Sequence, residues 1–267
     1  MKSDKSKSRR NFIQKLFVAG SGMALAAKTG FASENIKPMN EEPTVKRIKP
    51  LGFQWETQDP FLFCVHHEDF FPKGGENMGP PKELLQGRQI GQDFMIKDGF
   101  RMYHGDSVPG FPGHPHRGFE TITVVRKGMV DHSDSQGASG RYGNGDVQWM
   151  TAGKGVQHSE MFPLLNQDSE NPLELFQIWL NLPRTNKMVE PHFKMIWGEN
   201  VPRFTHKDQS DKSTEIEVLV GKLENHASPT APPDSWAAKE ENKVAIYNLH
   251  MEAGAQYTLP ATSAVIN

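Results

Sequence analysis

Gly110-Phe-Pro-Gly-His-Pro-His-Arg-Gly-Phe-Glu120, followed further along by Gly153-Lys-Gly-Val-Gln-His-Ser-Glu-Met161, carries two pairs of metal-capable side chains at alternate positions. In an extended chain successive side chains leave on opposite faces, so His114 and His116 share a face, and His158 and Glu160 repeat the same spacing. The glycines that bracket both pairs supply the turns that aim them. The stretch reads as a metal site built on β-strands, with the two pairs converging on one ion.

Three imidazoles and one carboxylate suit a first-row transition metal such as Fe, Cu, Mn, Ni or Zn, whereas Mg or Ca would be held mostly by oxygen. An octahedral Fe or Mn on four protein ligands keeps positions open for water, O₂ or substrate; a tetrahedral structural zinc site would be closed. One H-x-H alone would read as surface histidines. Two pairs, each set among glycines and apolar residues, point to a site.

The run His114-Pro-His-Arg-Gly-Phe-Glu-Thr121 and the run Gly145-Asp-Val-Gln-Trp-Met-Thr-Ala-Gly-Lys-Gly-Val-Gln-His-Ser-Glu-Met161 resemble the pirin family of the cupin superfamily. Asp59-Pro-Phe-Leu62 and Phe176-Gln-Ile-Trp-Leu-Asn-Leu-Pro183 add to the resemblance, which covers about 54–267. It implies two cupin-type β-barrels in tandem, with iron as the first expectation for the metal. A generic cupin takes a ligand from the Glu four residues after the second His, here Glu120; the pirin pattern uses the Glu two residues after the last His. The resemblance therefore implies His114, His116, His158 and Glu160 as ligands. Glu120, an even step from His116, is expected on the same face, as a carboxylate beside the ligands.

The implied activity is a dioxygenase of the quercetin 2,3-dioxygenase type, which opens the heterocycle of a flavonol with O₂ and releases carbon monoxide. Glu160 or Glu120 would take the hydroxyl proton of the small aromatic substrate. The alternative that the resemblance carries is a non-catalytic, redox-sensitive metal-binding module for protein partners that the sequence does not identify.

At 267 residues, with 36% hydrophobic and 23% charged residues, the composition is that of a soluble protein able to bury a core. The net charge of −2 and the lack of a basic block beyond the N-terminus give no footprint for nucleic acid. One cysteine, Cys64, excludes an intramolecular disulfide and reads as a small buried apolar residue. Residues 1–32 read as a targeting segment: Ser8-Arg-Arg-Asn-Phe-Ile-Gln-Lys15 resembles a twin-arginine export signal. The apolar run at 16–27 is too short and too rich in Gly and Ala for a membrane anchor. Cleavage before Ser33 is expected, with Ala24-Leu-Ala26 as the alternative, and the mature protein is expected in the periplasm. Export of the folded protein with its metal already loaded fits such a site.

Residues 33–48 read as a linker, 49–182 as the metal-binding barrel and 183–267 as a second barrel without a metal site. Short strand signals at 62–65, 119–125, 147–150, 175–182, 215–220 and 243–251, each bounded by Gly, Pro, Asn or Asp, predict an all-β chain. A helical turn is expected near 82–87, a loop over 133–145, and an exposed connection over 225–242. His104, His132, His192, His206, His226 and His250 lack paired spacing and read as structural or surface residues. His66 and His67 read as lacking partners, and Phe111, Phe119, Trp149, Met150, Met161 and Phe162 read as core that could also line an aromatic pocket. The chain ends at Thr262-Ser-Ala-Val-Ile-Asn267, where the resemblance implies further strands, so either the sequence is a fragment or the second barrel is built unusually, and an incomplete barrel would leave an open edge.

Overall fold

Alternating apolar and polar residues between glycine and proline breaks leave the chain little choice but short antiparallel strands. The computed structural model describes residues 50–261. The expected export signal and linker lie outside the described residues. Strands β1 (Gln54–Trp55), β2 (Phe61–Phe71), β3 (Gly110–His116), β4 (Phe119–Lys127) and β5 (Met129–Asp134) come first. Then follow β6 (Ser139–Gly143), β7 (Val147–Thr151), β8 (Val156–Met161), β9 (Asn171–Asn181) and β10 (His192–Ile196). Strands β11 (Arg203–Lys207), β12 (Ser213–Val220), β13 (Lys222–Leu223), β14 (His226–Ala227) and β15 (Ile246–Met251) complete the series. The α-helix among the described residues is one turn, Lys82–Leu85. No helix among them is long and apolar enough to cross a membrane.

A six-stranded sheet has the order β1-β2-β9-β4-β7-β10, and a four-stranded sheet the order β3-β8-β5-β6. A three-stranded sheet, β11-β12-β15, and the β13-β14 ribbon form the C-terminal part. Strand β10 lies beyond residue 182 yet pairs with β7 along its whole length, so the sheet that backs the metal residues continues past that point.

Strand alternation sorts the six-stranded sheet into two apolar faces. Ile122, Val124, Val147, Trp149, Ile178 and Leu180 pack with Leu219 and Val220 of β12 and with Trp236. Val125, Leu173 and Leu175 point the other way, against Val130 and Tyr142 of the four-stranded sheet. This sheet is therefore a middle layer, with the four-stranded sheet on one side and the C-terminal part on the other. Each fully buried large side chain of these faces contributes roughly 1.5–3 kcal/mol relative to exposure.

The stretch 133–145, expected as a loop, is instead the β5–β6 hairpin, with Ser133 opposite Ser139 and Met129 opposite Gly143. Its serines and glycines are mostly solvent-facing, so no apolar alternation marks it in the sequence. Tyr142, 3% exposed, anchors it to the core.

Candidate metal centre

Strand β8 lies between β3 and β5 in the four-stranded sheet, and these neighbours bring the other histidines to it. His114 on β3 stands directly opposite His158 on β8, with a register shift in β3 between Phe111 and His114. Gly110 makes the approach possible: at φ +133°, a Cβ there would sit 2.5 Å from the Glu160 carbonyl oxygen. A side chain at that position would push β3 off β8 and separate the pairs.

His114, His116 and His158 place one ring nitrogen each within 4.8 Å of one another. The Nδ1 of His114 lies 2.8 Å from the Pro112 carbonyl, which can only accept, so its proton is on Nδ1 and Nε2 presents a lone pair. That Nε2 is 3.1 Å from Nε2 of His116. Burial lowers the pKa of His116 to about 3, reinforced by His158 and His114. Burial likewise brings His158 to about 3, with His114 and His132 adding to the effect. His116 and His158 are thus neutral at ordinary pH, the form that donates to a metal. Both ring nitrogens of His158 are buried without a hydrogen-bond partner. An orphaned polar pair in a core costs about 1–3 kcal/mol per group unless something binds it, and a transition-metal ion is the ligand this donor set fits.

Glu160 is 2% exposed, and its Oε2 lies 3.9 Å from Nε2 of His158. Gln177 of β9 donates to Oε2 at 2.7 Å, and Thr123 of β4 donates to Oε1 at 3.2 Å. The carboxylate is thus held at the edge of the histidine cluster by two residues of the opposing sheet. Neither Gln177 nor Thr123 stood out in the sequence; the signal was available in their inward parity on strands that face β8.

Glu120 is not brought to this cluster. Its Oε1 accepts from Thr151 at 2.7 Å and its Oε2 from Ser235 at 2.6 Å, on the opposite face of the six-stranded sheet. The expected shared face with His116 fails because Gly118, at φ +75°, turns the chain between β3 and β4 and resets the alternation. Thr121 and Thr123 face the centre instead.

His132, read from the sequence as structural or surface, is structural. It is buried on β5 opposite Glu160, its ring centroid 5.3 Å from that of His158. His66 stacks on Phe176 at 4.4 Å with its Nε2 3.5 Å from Glu174, while Nδ1 of His67 is 2.9 Å from the Tyr103 hydroxyl. That hydroxyl donates to Asp69 at 2.5 Å, and Arg101 donates to the other Asp69 oxygen at 3.1 Å. Cys64 is buried as expected, and burial raises its thiol to about 11.

Aromatic rings border the histidines. Phe119 and Trp179 lie 5.0 and 5.3 Å from His116, and Phe111 lies 6.3 Å from His114, centroid to centroid. Phe111 in turn contacts Tyr103, Phe94 and Phe162. Trp149 and Met150, grouped with these in the sequence reading, are fully buried core.

Comparison with known proteins matches residues 73–180 to the Pirin family model. A Pseudomonas aeruginosa protein named "Putative quercetin 2,3-dioxygenase" is 37% identical over 150 residues, 56% of this chain and 49% of its own length. Pirin-1 of Arabidopsis thaliana is 42% identical over 120 residues, 45% of this chain and 38% of its own. The chain thus spans about half the length, or less, of these curated relatives. A crystal structure of quercetin 2,3-dioxygenase from Acinetobacter baumannii is 27% identical at a TM-score of 0.47, covering 65% of this chain and 49% of that one.

Proposed function

We propose, from the premise that the chain belongs to the pirin family of cupins, that it is a metal-dependent dioxygenase of the quercetin 2,3-dioxygenase type acting on a flavonol or a related phenol or enol. The observation that carries the reading is the convergence of His114, His116 and His158 beside a positioned carboxylate, Glu160. His114, His116 and His158, with Glu160 as the fourth ligand, would hold one divalent transition metal, iron first among the candidates. When bound, the metal supplies Lewis acidity toward an acidic hydroxyl and open positions for small ligands.

The chain's own residues supply the rest. In this reading Glu160, kept oriented by Thr123 and Gln177, accepts the hydroxyl proton, a contribution of about 10²–10⁴-fold for a well-positioned base. The rings of Phe111, Phe119 and Trp179 offer flat apolar surface to a planar substrate and keep bulk water from the reacting atoms. Glu120 is removed from this scheme by its position.

The test is an oxygen-uptake assay with quercetin and simpler phenols, using protein loaded in turn with Fe, Mn, Ni and Cu, with carbon monoxide measured as product. Metal-dependent O₂ consumption and CO release are expected. Metal binding with no O₂ consumption under any loading would favour the non-catalytic binding module. We further propose that Arg9 and Arg10 direct export to the periplasm by the twin-arginine route. Replacing both by Lys should trap the precursor in the cytoplasm, and continued delivery of that variant would refute it.

A further inference from the structure

We infer that His132 and Asp134 form a positioning relay that sets the tautomer of His158 and so keeps its Nε2 lone pair turned toward the metal. The inference deepens the metal-centre reading above and rests on it.

The register of the four-stranded sheet builds the relay. Asp134 on β5 stands opposite His158 on β8, and His132 stands opposite Glu160. His114 faces His158 from the other side. A single row across the sheet therefore runs from His114 through His158 to Asp134, with His132 one pleat away on the same face.

Proton bookkeeping then gives the direction. His132 Nε2 lies 2.9 Å from Asp134 Oδ2. The second oxygen of Asp134 accepts from the backbone N–H groups of Gln136 at 2.8 Å and Ala138 at 3.1 Å, which fixes the carboxylate's orientation. A carboxylate only accepts, so the His132 proton resides on Nε2 and its Nδ1 keeps a lone pair. That Nδ1 is buried with no hydrogen-bond partner. Phe193 covers the ring at a centroid distance of 4.9 Å, which keeps it from solvent.

His158 presents the complementary deficit: both of its ring nitrogens are buried without partners. A neutral imidazole has one donor and one acceptor. With the proton on Nδ1, His158 offers a donor that one bound water can relay to the lone pair of His132, the two rings lying 5.3 Å apart centroid to centroid, and its Nε2 lone pair joins those of His114 and His116. With the proton on Nε2, an N–H would point into the ligand cluster while two buried nitrogen lone pairs were left without a donor. With a metal on the Nε2 lone pair, the first arrangement satisfies every group. Metal-ligating histidines generally donate their other N–H to an acceptor, and losing that acceptor costs about 10–100-fold in metal affinity.

The relay is tested with the full chain by two readouts. In the metal-free protein, long-range ¹H–¹⁵N correlation spectra report which nitrogen of His158 carries the proton; Co²⁺ titration reports affinity. Wild type is expected to show His158 protonated at Nδ1. In Asp134→Asn the amide NH₂ would donate to His132 and move its proton onto Nδ1. His158 should then switch to the Nε2–H form, and Co²⁺ affinity should fall about 10–100-fold. His132→Gln retains a donor for Asp134 and an acceptor for His158, so it should keep most of the affinity, and it serves the test if the Asp134 variant does not fold. A metal-free wild type with His158 protonated at Nε2 would overturn the relay, as would a folded Asp134→Asn or a His132→Leu that binds Co²⁺ like wild type. Wild type that shows the Nδ1–H form but binds no Co²⁺ would support the relay and overturn the metal-centre reading instead.

Discussion

Glu120 Oε2 and Ser235 Oγ are 2.6 Å apart, a hydrogen bond that ties β4 to the C-terminal part on the face turned away from the histidines. Burial raises the Glu120 pKa from 4.5 to about 7, although the hydroxyls of Ser235 and Thr151 pull the other way. The folded state thus holds this proton more tightly than the unfolded chain does. Stability from this group is present below the unfolded value and is lost as pH rises toward the folded one, at up to about 1.4 kcal/mol per pH unit. Between about pH 4.5 and about pH 7 the wild-type melting temperature should fall with a slope that Glu120→Gln lacks. Parallel slopes in the two proteins would assign the pH dependence elsewhere.

Removing a ligand should separate metal binding from folding. His116→Ala and His158→Ala are expected to lose most bound metal, while His250→Ala, at the exposed end of β15, should retain it. Metal binds the native state alone, so at a free concentration of about 100 Kd it should add about 2.7 kcal/mol to wild type and almost nothing to the two ligand variants. Equal metal content across the set, measured by elemental analysis, would remove the histidines from the centre.

Gly110 gives a backbone test of the same geometry. Its φ of +133° and the 2.5 Å approach of the Glu160 carbonyl to a Cβ leave no room for alanine. Gly110→Ala should therefore cost about 1–3 kcal/mol and displace β3, lowering metal affinity although no ligand is altered. Chemical denaturation together with Co²⁺ titration checks both effects, and a variant with native affinity would show that the β3–β8 approach does not position the ligands.

What the sequence made legible follows from which signals survive locally. The pairs His114/His116 and His158/Glu160 at strand spacing predicted the convergence of His114, His116 and His158, because alternation within one strand is a strict rule. Alternation does not carry across a turn, and the reading of Glu120 beside the metal failed at Gly118 for that reason. The place of His132 beside His158 is not legible from spacing, because the two are related by register between β5 and β8, which residue spacing along one strand does not encode. The β5–β6 hairpin was hidden by serines and glycines that face solvent. Strand β9, with its apolar run, was visible, yet the role of Gln177 within it depended on which face met β8.

Gln177 supplies the last prediction, because it tests whether the carboxylate must be held as well as present. Its side chain donates to Glu160 Oε2 at 2.7 Å and accepts from Trp179 Nε1 at 3.1 Å, so the amide's orientation is fixed by the indole. Thr123 donates to the other oxygen of Glu160. Gln177→Leu keeps the volume but leaves the carboxylate and the half-buried indole N–H each short of one partner, a cost of about 1–3 kcal/mol at the buried carboxylate. Glu160 should then rotate more freely, weakening metal retention about tenfold or more without abolishing it. Glu160→Gln should weaken it further and change the d–d absorption of the Co²⁺-loaded protein, since a neutral amide replaces a charged oxygen donor. The ordering wild type, Gln177→Leu, Glu160→Gln in Co²⁺ affinity is the expected result. If Glu160→Gln binds as tightly as wild type with an unchanged spectrum, Glu160 is not a ligand, and its contacts with Thr123 and Gln177 serve packing between the two sheets alone.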